Sequence, residues 1–286
     1  MTQNVKYCDL HTHSNYSDGS DSPAELVAKA KNIGLSAIAL CDHNNLDGNE
    51  EFMETGKALG IETVAGVEIS ADCMGKELHI LGLFVDKESF AVLKELTDTL
   101  RTEKESSNYR LYQNLKSAGY NISYERITEA GDKASINRVH FAKELIRCGY
   151  IQSLDEGFDT LLSKKSGYYV PPKRIDALEL IWLLRSLGVV SVLAHPFLKM
   201  GEEELIEFIP KARGLSGMET NYSAFTKAQT ERALSIAEQN GLLKSGGSDY
   251  HGKNKPRISL GTGEGNLLVP FEYYEKLKEH SLAIKP

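Results

Sequence analysis

Histidine and carboxylate side chains are the groups in this chain best placed to do chemistry, and they begin almost at once. In Tyr7-Cys8-Asp9-Leu10-His11-Thr12-His13-Ser14-Asn15-Tyr16-Ser17-Asp18-Gly19, two histidines stand at i and i+2. On an extended backbone that spacing points both imidazoles to one face, with Asp9 sharing it. Asp18 follows after a polar turn that Gly19 can close. Imidazole with carboxylate is a donor set suited to Zn, Mn or Fe rather than Ca or Mg. By itself the pair is equally compatible with two satisfied structural histidines, so the remaining histidines decide.

Four more recur in similar surroundings: His43 in Leu40-Cys41-Asp42-His43-Asn44, His79 in Leu78-His79-Ile80-Leu81, His195 in Ala194-His195-Pro196 and His251 in Ser248-Asp249-Tyr250-His251. All but His79 sit at or just past the end of a short apolar run, and His79 stands near the start of one. Asp42, Asp249 and Glu68, the last at the end of Thr63–Val67, accompany them. Ligand-type residues gathered at strand C-termini are what the active face of a (β/α) barrel requires.

The elements needed to position them can be read in order. Ser22-Pro23-Ala24-Glu25 starts a helix with an N-cap, a proline at the first position and a capping box, and Gly34 ends it. Strands follow at Ser36–Leu40, Thr63–Val67 and Leu78–Val85, with a helix at Asn49–Leu59 stopped by Gly60. This alternation predicts βα units around a parallel sheet. Then the rhythm breaks. Residues 86–167 read as an inserted helical domain, with helices at Phe90–Ala118, Tyr124–Ala130, Arg138–Arg147 and Leu154–Leu162. The pattern resumes with a helix at Arg174–Leu187, strands at Val189–Ala194, Leu215–Glu219 and Leu243–Gly246, and helices at Glu202–Ala212 and Thr226–Asn240. Pro270–His280 is expected to close the chain as a surface helix. The fold class is therefore α/β, a distorted TIM-like barrel of about seven βα units, discontinuous over 1–85 and 168–286, with the helical insert between.

Composition bounds the function. No run approaches the roughly 20 apolar residues of a membrane helix, and a first strand entered near Tyr7 leaves no room for a signal peptide. Cys8, Cys41, Cys73 and Cys148 form no Cys-x-x-Cys pair and suit a reducing cytoplasm. The net charge of −7 argues against a non-specific polyanion binder, double-stranded nucleic acid included. Residues 86–167 carry as many basic as acidic groups, so the deficit lies outside them, together with Asp9, Asp18, Asp42, Glu68 and Asp249. Two or three bound divalent cations would offset most of it; an ordinary acidic surface would leave the same signature.

Asp9-Leu10-His11-Thr12-His13, Ser17-Asp18-Gly19, Asp42-His43, Glu68, His79, Ala194-His195-Pro196 and Asp249-Tyr250-His251 together resemble the polymerase and histidinol phosphatase (PHP) family of metal-dependent phosphoesterases. The resemblance covers nearly the whole chain and implies a distorted (β/α)7 barrel around a trinuclear centre of divalent transition metals (Mn, Fe or Zn). It implies that His11, His13 and Asp249 hold one ion, with Glu68 bridging to a second. His79 and His195 complete the second, and Asp18, His43 and His251 hold the third. The implied reaction is hydrolysis of a phosphomonoester by attack of a metal-bridging hydroxide, clustered cations lowering the pKa of water and neutralising phosphate charge. Asp42, His251 and Arg138 are the candidate catalytic residues, Asp42 as a carboxylate orienting an imidazole. Asp9 is expected to support a ligand in the same way rather than merely tie the strand end to an amide. Glu219 suits a buried salt bridge as well as a ligand, and His280 a solvated side chain.

Within the insert, Ser135-Ile136-Asn137-Arg138-Val139-His140-Phe141 resembles the Arg-x-His run with which PHP proteins carrying such an insert contact phosphate and nucleoside. Arg138 offers a bidentate fork, with Asn137 and His140 beside it and Tyr169 supplying an aromatic face for a base. The competing reading is a helix cap with a surface histidine. The resemblance implies a small phosphorylated substrate, a nucleoside 3′,5′-bisphosphate or short 5′-phosphorylated RNA. Rival readings are a histidinol phosphatase, an amidohydrolase barrel (in which a carboxylated lysine usually stands where Glu68 does) and a non-catalytic PHP module binding a nucleotide or protein partner. Oligomeric state leaves no trace in the sequence.

Overall fold

A computed structural model describes residues 6–129 and 136–285. Ala130, the expected end of one helix, and Ser135, at the head of the arginine-containing run, lie outside the described residues. The chain divides into two compact units, one comprising the chain through Thr97 together with Ile175 onward, the other Asp98–Arg174.

The first unit holds β1 (Cys8–Thr12), α1 (Pro23–Asn32), β2 (Ala37–Leu40), α2 (Asn49–Leu59), β3 (Glu62–Cys73) and β4 (Lys76–Leu83). The long α3 (Lys87–Ser117) starts in this unit; α4 (Tyr124–Glu129), α5 (Arg138–Arg147) and α6 (Leu154–Asp159) belong to the second. The first then resumes with β5 (Ile175–Asp176), α7 (Ala177–Ser186), β6 (Val190–Leu193), α8 (Pro196–Lys199) and α9 (Glu202–Phe208). It ends with β7 (Gly217–Tyr222), α10 (Lys227–Gln239), β8 (Leu243–Gly247) and α11 (Phe271–Ala283). The strands run in the order β1-β2-β3-β4-β6-β7-β8, with the two-residue β5 pairing off this path on β3. The sheet curls until its ends nearly meet: the His13 N–H donates to the Tyr250 carbonyl and the Asp249 N–H to the His11 carbonyl, both at 2.9 Å. This is the distorted seven-stranded barrel that the alternation of elements predicts.

Two departures come from local chemistry. β4 runs antiparallel to both β3 and β6, not parallel. Only Met74 and Gly75 separate β3 from β4, with φ of 52° and 80°. That is the two-residue turn with both φ positive whose twist suits a hairpin, and it is far too short for a crossover helix. The hairpin also carries β3 well beyond Glu68, which lies within the strand rather than at its end. α7 begins later than expected, at Ala177: the Asp176 carboxylate accepts from the Leu178 and Glu179 amides and fixes the start there.

Inside the barrel, Ala37 and Ala39 of β2 and Cys41 just past it pack with Leu10, Leu81, Val190 and Val192. Tyr274 and Leu277 of α11 join the same cluster, 3% and 0% exposed. The last helix is therefore part of the core and not a surface helix. His280 is half-buried, with Nε2 3.2 Å from the Ser216 hydroxyl, and is not simply solvated.

The second unit packs its helices around Leu111, Leu115, Phe141, Leu145 and Leu162. Its bounds differ from 86–167 for reasons that lie in the packing. The first turns of α3 stay with the barrel unit, where Lys94 pairs with Asp47 at 3.1 Å. Residues 168–174 stay with the helices: Tyr169 is in their core, and the Tyr168 and Val170 carbonyls accept from Asn114 and Ser107. Among the described residues no helix is long and apolar enough to cross a membrane.

Candidate metal centre

Six histidines and three carboxylates converge at one end of the barrel. His11 lies in β1 and His13 just past it, Asp18 in the following loop, and His43 beyond β2. Glu68 projects from β3 and His79 from β4, while His195 follows β6 and Asp249 and His251 follow β8. The approach of β8 to β1 is close enough that a Cβ on Gly247 would lie 2.4 Å from that of His11. Several of these residues are held in the left-handed region that L side chains rarely occupy: His195 (φ 29°), Asp249 (φ 56°) and Asn44 beside His43 (φ 45°). Such strain persists only where the surroundings enforce it, and it concentrates at functional sites.

Glu68 is the hub. Its Oε1 lies 2.8 Å from His79 Nδ1 and 3.0 Å from His195 Nε2. Its Oε2 lies 2.9 Å from His43 Nδ1 and 3.4 Å from Nε2 of both His11 and His13. Asp249 Oδ1 stands 3.0 Å from His13 Nε2 and 3.7 Å from His11 Nε2, and Asp18 Oδ1 3.1 Å from His251 Nε2. Four groups have ligand atoms within 4.8 Å of one another: His11, His13 and Asp249; His11, Glu68 and His195; His43, Glu68 and His79; His13, Asp18, His43 and His251. All nine sequence candidates take part. His11, His13, His43 and Glu68 each belong to two groups, so the division into three separate sets is less sharp than the expected one.

The electrostatics are those of a site built for cations. Burial works against charge on Glu68, Asp18 and Asp249, yet the surrounding imidazoles hold all three carboxyls well below their ordinary range. His79 is pushed up to about 9, burial being outweighed by Glu68. His13 is lowered to about 3 by burial first and then by His251. Although carboxylate oxygens lie close to most of them, His11 Nε2, both His13 nitrogens, His79 Nδ1, His195 Nδ1, His251 Nε2 and Glu68 Oε2 are buried without a well-directed hydrogen bond among the described residues. Each such group costs about 1–3 kcal/mol unless something else satisfies it. Divalent ions fit that requirement and this donor set.

Behind the cluster stands Glu219, from β7, completely buried. One oxygen lies 2.9 Å from His11 Nδ1 and the other accepts the His195 N–H at 2.6 Å. It fixes the His11 ring with Nε2 facing the cluster, the task carboxylates perform for metal-binding imidazoles. Sequence reasoning left Glu219 undecided because its partners are remote in the chain. Asp42 and Asp9, by contrast, orient no imidazole. Asp42 accepts from the Ser14 amide, the Ser14 hydroxyl and the Ser17 hydroxyl at 2.8, 2.6 and 2.5 Å. Asp9 accepts from the Ser248 amide, the Ser248 hydroxyl and the Gly261 amide at 2.9, 2.5 and 2.8 Å. Both brace the loops that carry the histidines. β1 slips register between Asp9 and Thr12, Asp9 pairing with Ile38 and Thr12 with Leu40, so the regular alternation that would put Asp9 and His11 on one face does not hold across this stretch. Tyr222 and Lys255, unremarked in the sequence, both donate to Asp249 Oδ2 at 2.9 Å.

The insert candidates lie together in the second unit. Asn137 is the N-cap of α5, its side chain accepting the Val139 N–H at 2.9 Å, and His140 Nδ1 accepts the Asn137 N–H at 3.2 Å in a capping box. Arg138 donates to the Leu162 carbonyl at 3.0 Å, and its guanidinium lies 4.4 Å from the Tyr169 ring centre and 5.1 Å from that of Phe158. Tyr169 therefore carries Arg138 on its ring rather than offering an open face to a base.

A nearly closed α/β barrel with buried imidazoles and carboxylates converging at one end is the architecture of a metal-dependent hydrolase. Residues 9–156 match the PHP domain family. A 5′-3′ exoribonuclease of Haemophilus influenzae is 31% identical over 252 residues, 86% of this chain and 90% of that protein. A phosphoribosyl 1,2-cyclic phosphate 1,2-diphosphodiesterase of Eggerthella lenta is 31% identical over 251 residues, covering 86% and 94%. Among solved structures, one described as a metal-dependent phosphoesterase from Bifidobacterium adolescentis superposes with a TM-score of 0.76 at 27% identity, covering 96% of each chain. The chain belongs to the PHP family, and it is a metal-dependent hydrolase of phosphoesters.

Proposed function

We propose that the nine residues around Glu68 hold two to three divalent transition ions (Mn, Fe or Zn) and that the protein hydrolyses a nucleoside 3′,5′-bisphosphate or a short 5′-phosphorylated RNA. The observation that carries the reading is Glu68 itself, whose two oxygens face different sets of imidazoles as a bridging ligand must. His11, His13 and Asp249 are the ligands of one ion, His79 and His195 of the second, and Asp18, His43 and His251 of the third. Bound there, the ions supply Lewis acidity toward phosphate oxygens and an activated water. The chain's own residues do the rest. Glu219 holds the His11 ring and the His195 backbone, Asp42 braces the Ser14–Ser17 loop, and buried walls keep bulk water away.

The nucleotide assignment draws on the relative from Haemophilus influenzae, named as an RNA hydrolase, and on Arg138. Stacked on Tyr169 and anchored at Leu162, that guanidinium is a preset planar fork suited to phosphate. A cyclic phosphodiester is the second reading, favoured by the equally similar relative from Eggerthella lenta. Four free thiols suit a cytoplasmic setting. The test is phosphate release by Mn-loaded protein from a 3′,5′-bisphosphate, a 5′-phosphorylated oligoribonucleotide, a 1,2-cyclic phosphate, histidinol phosphate and p-nitrophenyl phosphate. The highest kcat/KM on either of the first two supports the proposal, and preference for any other overturns it.

A further inference from the structure

The geometry points to Lys255 as a phosphate-binding residue of the centre, one that seats an anionic oxygen of the substrate beside Asp249. The inference rests on the phosphoester chemistry of the site and not on which nucleotide is cleaved. Asp249 uses its two oxygens differently. Oδ1 turns toward the His11–His13 pair, and Oδ2 is taken by the Tyr222 hydroxyl and the Lys255 ammonium. Lys255 is thus a single carboxylate group away from the ligand atoms. Its charge also bears on His251, on the neighbouring edge of the cluster.

The lysine is both reachable and pre-positioned. Its side chain is 44% exposed, whereas those of Asp249 and Glu68 are 9% and 0% exposed. The turn before it is fastened to the Asp18 loop: Asn254 donates to the Asp18 carbonyl at 2.9 Å, and the Lys253 N–H to the Ser20 hydroxyl at 2.8 Å. Asp18 and His43, with side chains 28% and 20% exposed, mark the open side of the cluster, and the Asp18 loop is the one that holds this turn. A half-exposed lysine–carboxylate pair adds little to stability, and Tyr222 already donates to the same oxygen. An ammonium has three donors, and the Asp249 pair uses one.

The probe is inorganic phosphate, which carries no nucleoside, so its result stands whether or not the nucleotide assignment survives. Its binding to Mn-loaded protein is measured by calorimetry and as competitive inhibition of p-nitrophenyl phosphate hydrolysis, with metal content determined in parallel. Lys255→Gln should weaken phosphate binding and raise KM by on the order of ten- to hundredfold, with metal content unchanged and most of the loss restored in Lys255→Arg. Tyr222→Phe removes the other donor to Asp249 and, compared at equal metal occupancy, should weaken phosphate binding far less than Lys255→Gln does. Unchanged phosphate affinity in Lys255→Gln overturns the inference. So does a loss that follows metal content, or one that Tyr222→Phe reproduces, since either shows that Lys255 acts only by holding Asp249.

Discussion

At the scale of single residues, the centre depends as much on what stands behind the ligands as on the ligands themselves. Glu219 holds His11 through its ring and His195 through its backbone. Replacing it with Gln keeps an acceptor but removes the charge, and supporting groups of this kind are worth roughly 10- to 100-fold in metal affinity. Glu219→Gln should weaken metal binding by that order in a chelator-competition titration, and Glu219→Ala by more. Wild-type affinity in both would show Glu219 to be a packing residue. The histidines and carboxylates were legible from their types and recurring surroundings, and the particular set of nine from the resemblance to the PHP family; Glu68 and His79 lie within β3 and β4 rather than at strand ends. Glu219 was only half legible, since a carboxylate at a strand end does not announce a histidine more than two hundred residues away. Asp9 was misread because the period-two rule assumes a regular strand, and β1 slips register between Asp9 and Thr12.

At the scale of elements, the α1 capping box, the start of α4 and the extent of α5 follow from local signals, and those signals were readable. The antiparallel β4 was not, because Met-Gly is an unusual pair for a tight hairpin and no turn motif flagged it. α11 looked superficial for a different reason: charged residues are interspersed among its apolar ones, and only the fold shows that Tyr274 and Leu277 enter the barrel core. Its burial gives a direct check. Leu277→Ala should destabilise the protein by about 2–5 kcal/mol in denaturant unfolding, as core truncations do, while metal content at pH 7 stays unchanged. A shift below about 0.5 kcal/mol, as expected of surface positions, would return the helix to the surface.

At the scale of the whole molecule, acid should act on the two units through different groups. In the helical unit, hydrogen bonds from Arg147 at 2.7 Å hold Glu144 at about 2, against an ordinary 4.5. A carboxyl depressed in the folded state contributes stability that is complete above its unfolded pKa and is lost as pH falls toward the folded value. The stability difference between wild type and Glu144→Gln, read from amide exchange in α5, should therefore be full at pH 7 and close between pH 4.5 and 2. A gap that persists undiminished at pH 2 would contradict the assignment. In the barrel unit, ions bound to the folded chain alone stabilise it by mass action, about 2.7 kcal/mol at a hundred times Kd. Thorough chelation should accordingly lower Tm, and restoring Mn should recover it. The most direct test of the central claim couples those ions to the reaction. Phosphate release from a nucleoside 3′,5′-bisphosphate is followed as stripped protein is titrated with Mn, while elemental analysis counts the ions bound. The account predicts no turnover in the stripped protein, activity rising with occupancy to a plateau at two to three ions per chain, and the oxygen of solvent water appearing in the released phosphate. Full activity in the stripped protein, or a fully loaded protein that hydrolyses no phosphoester, would contradict it.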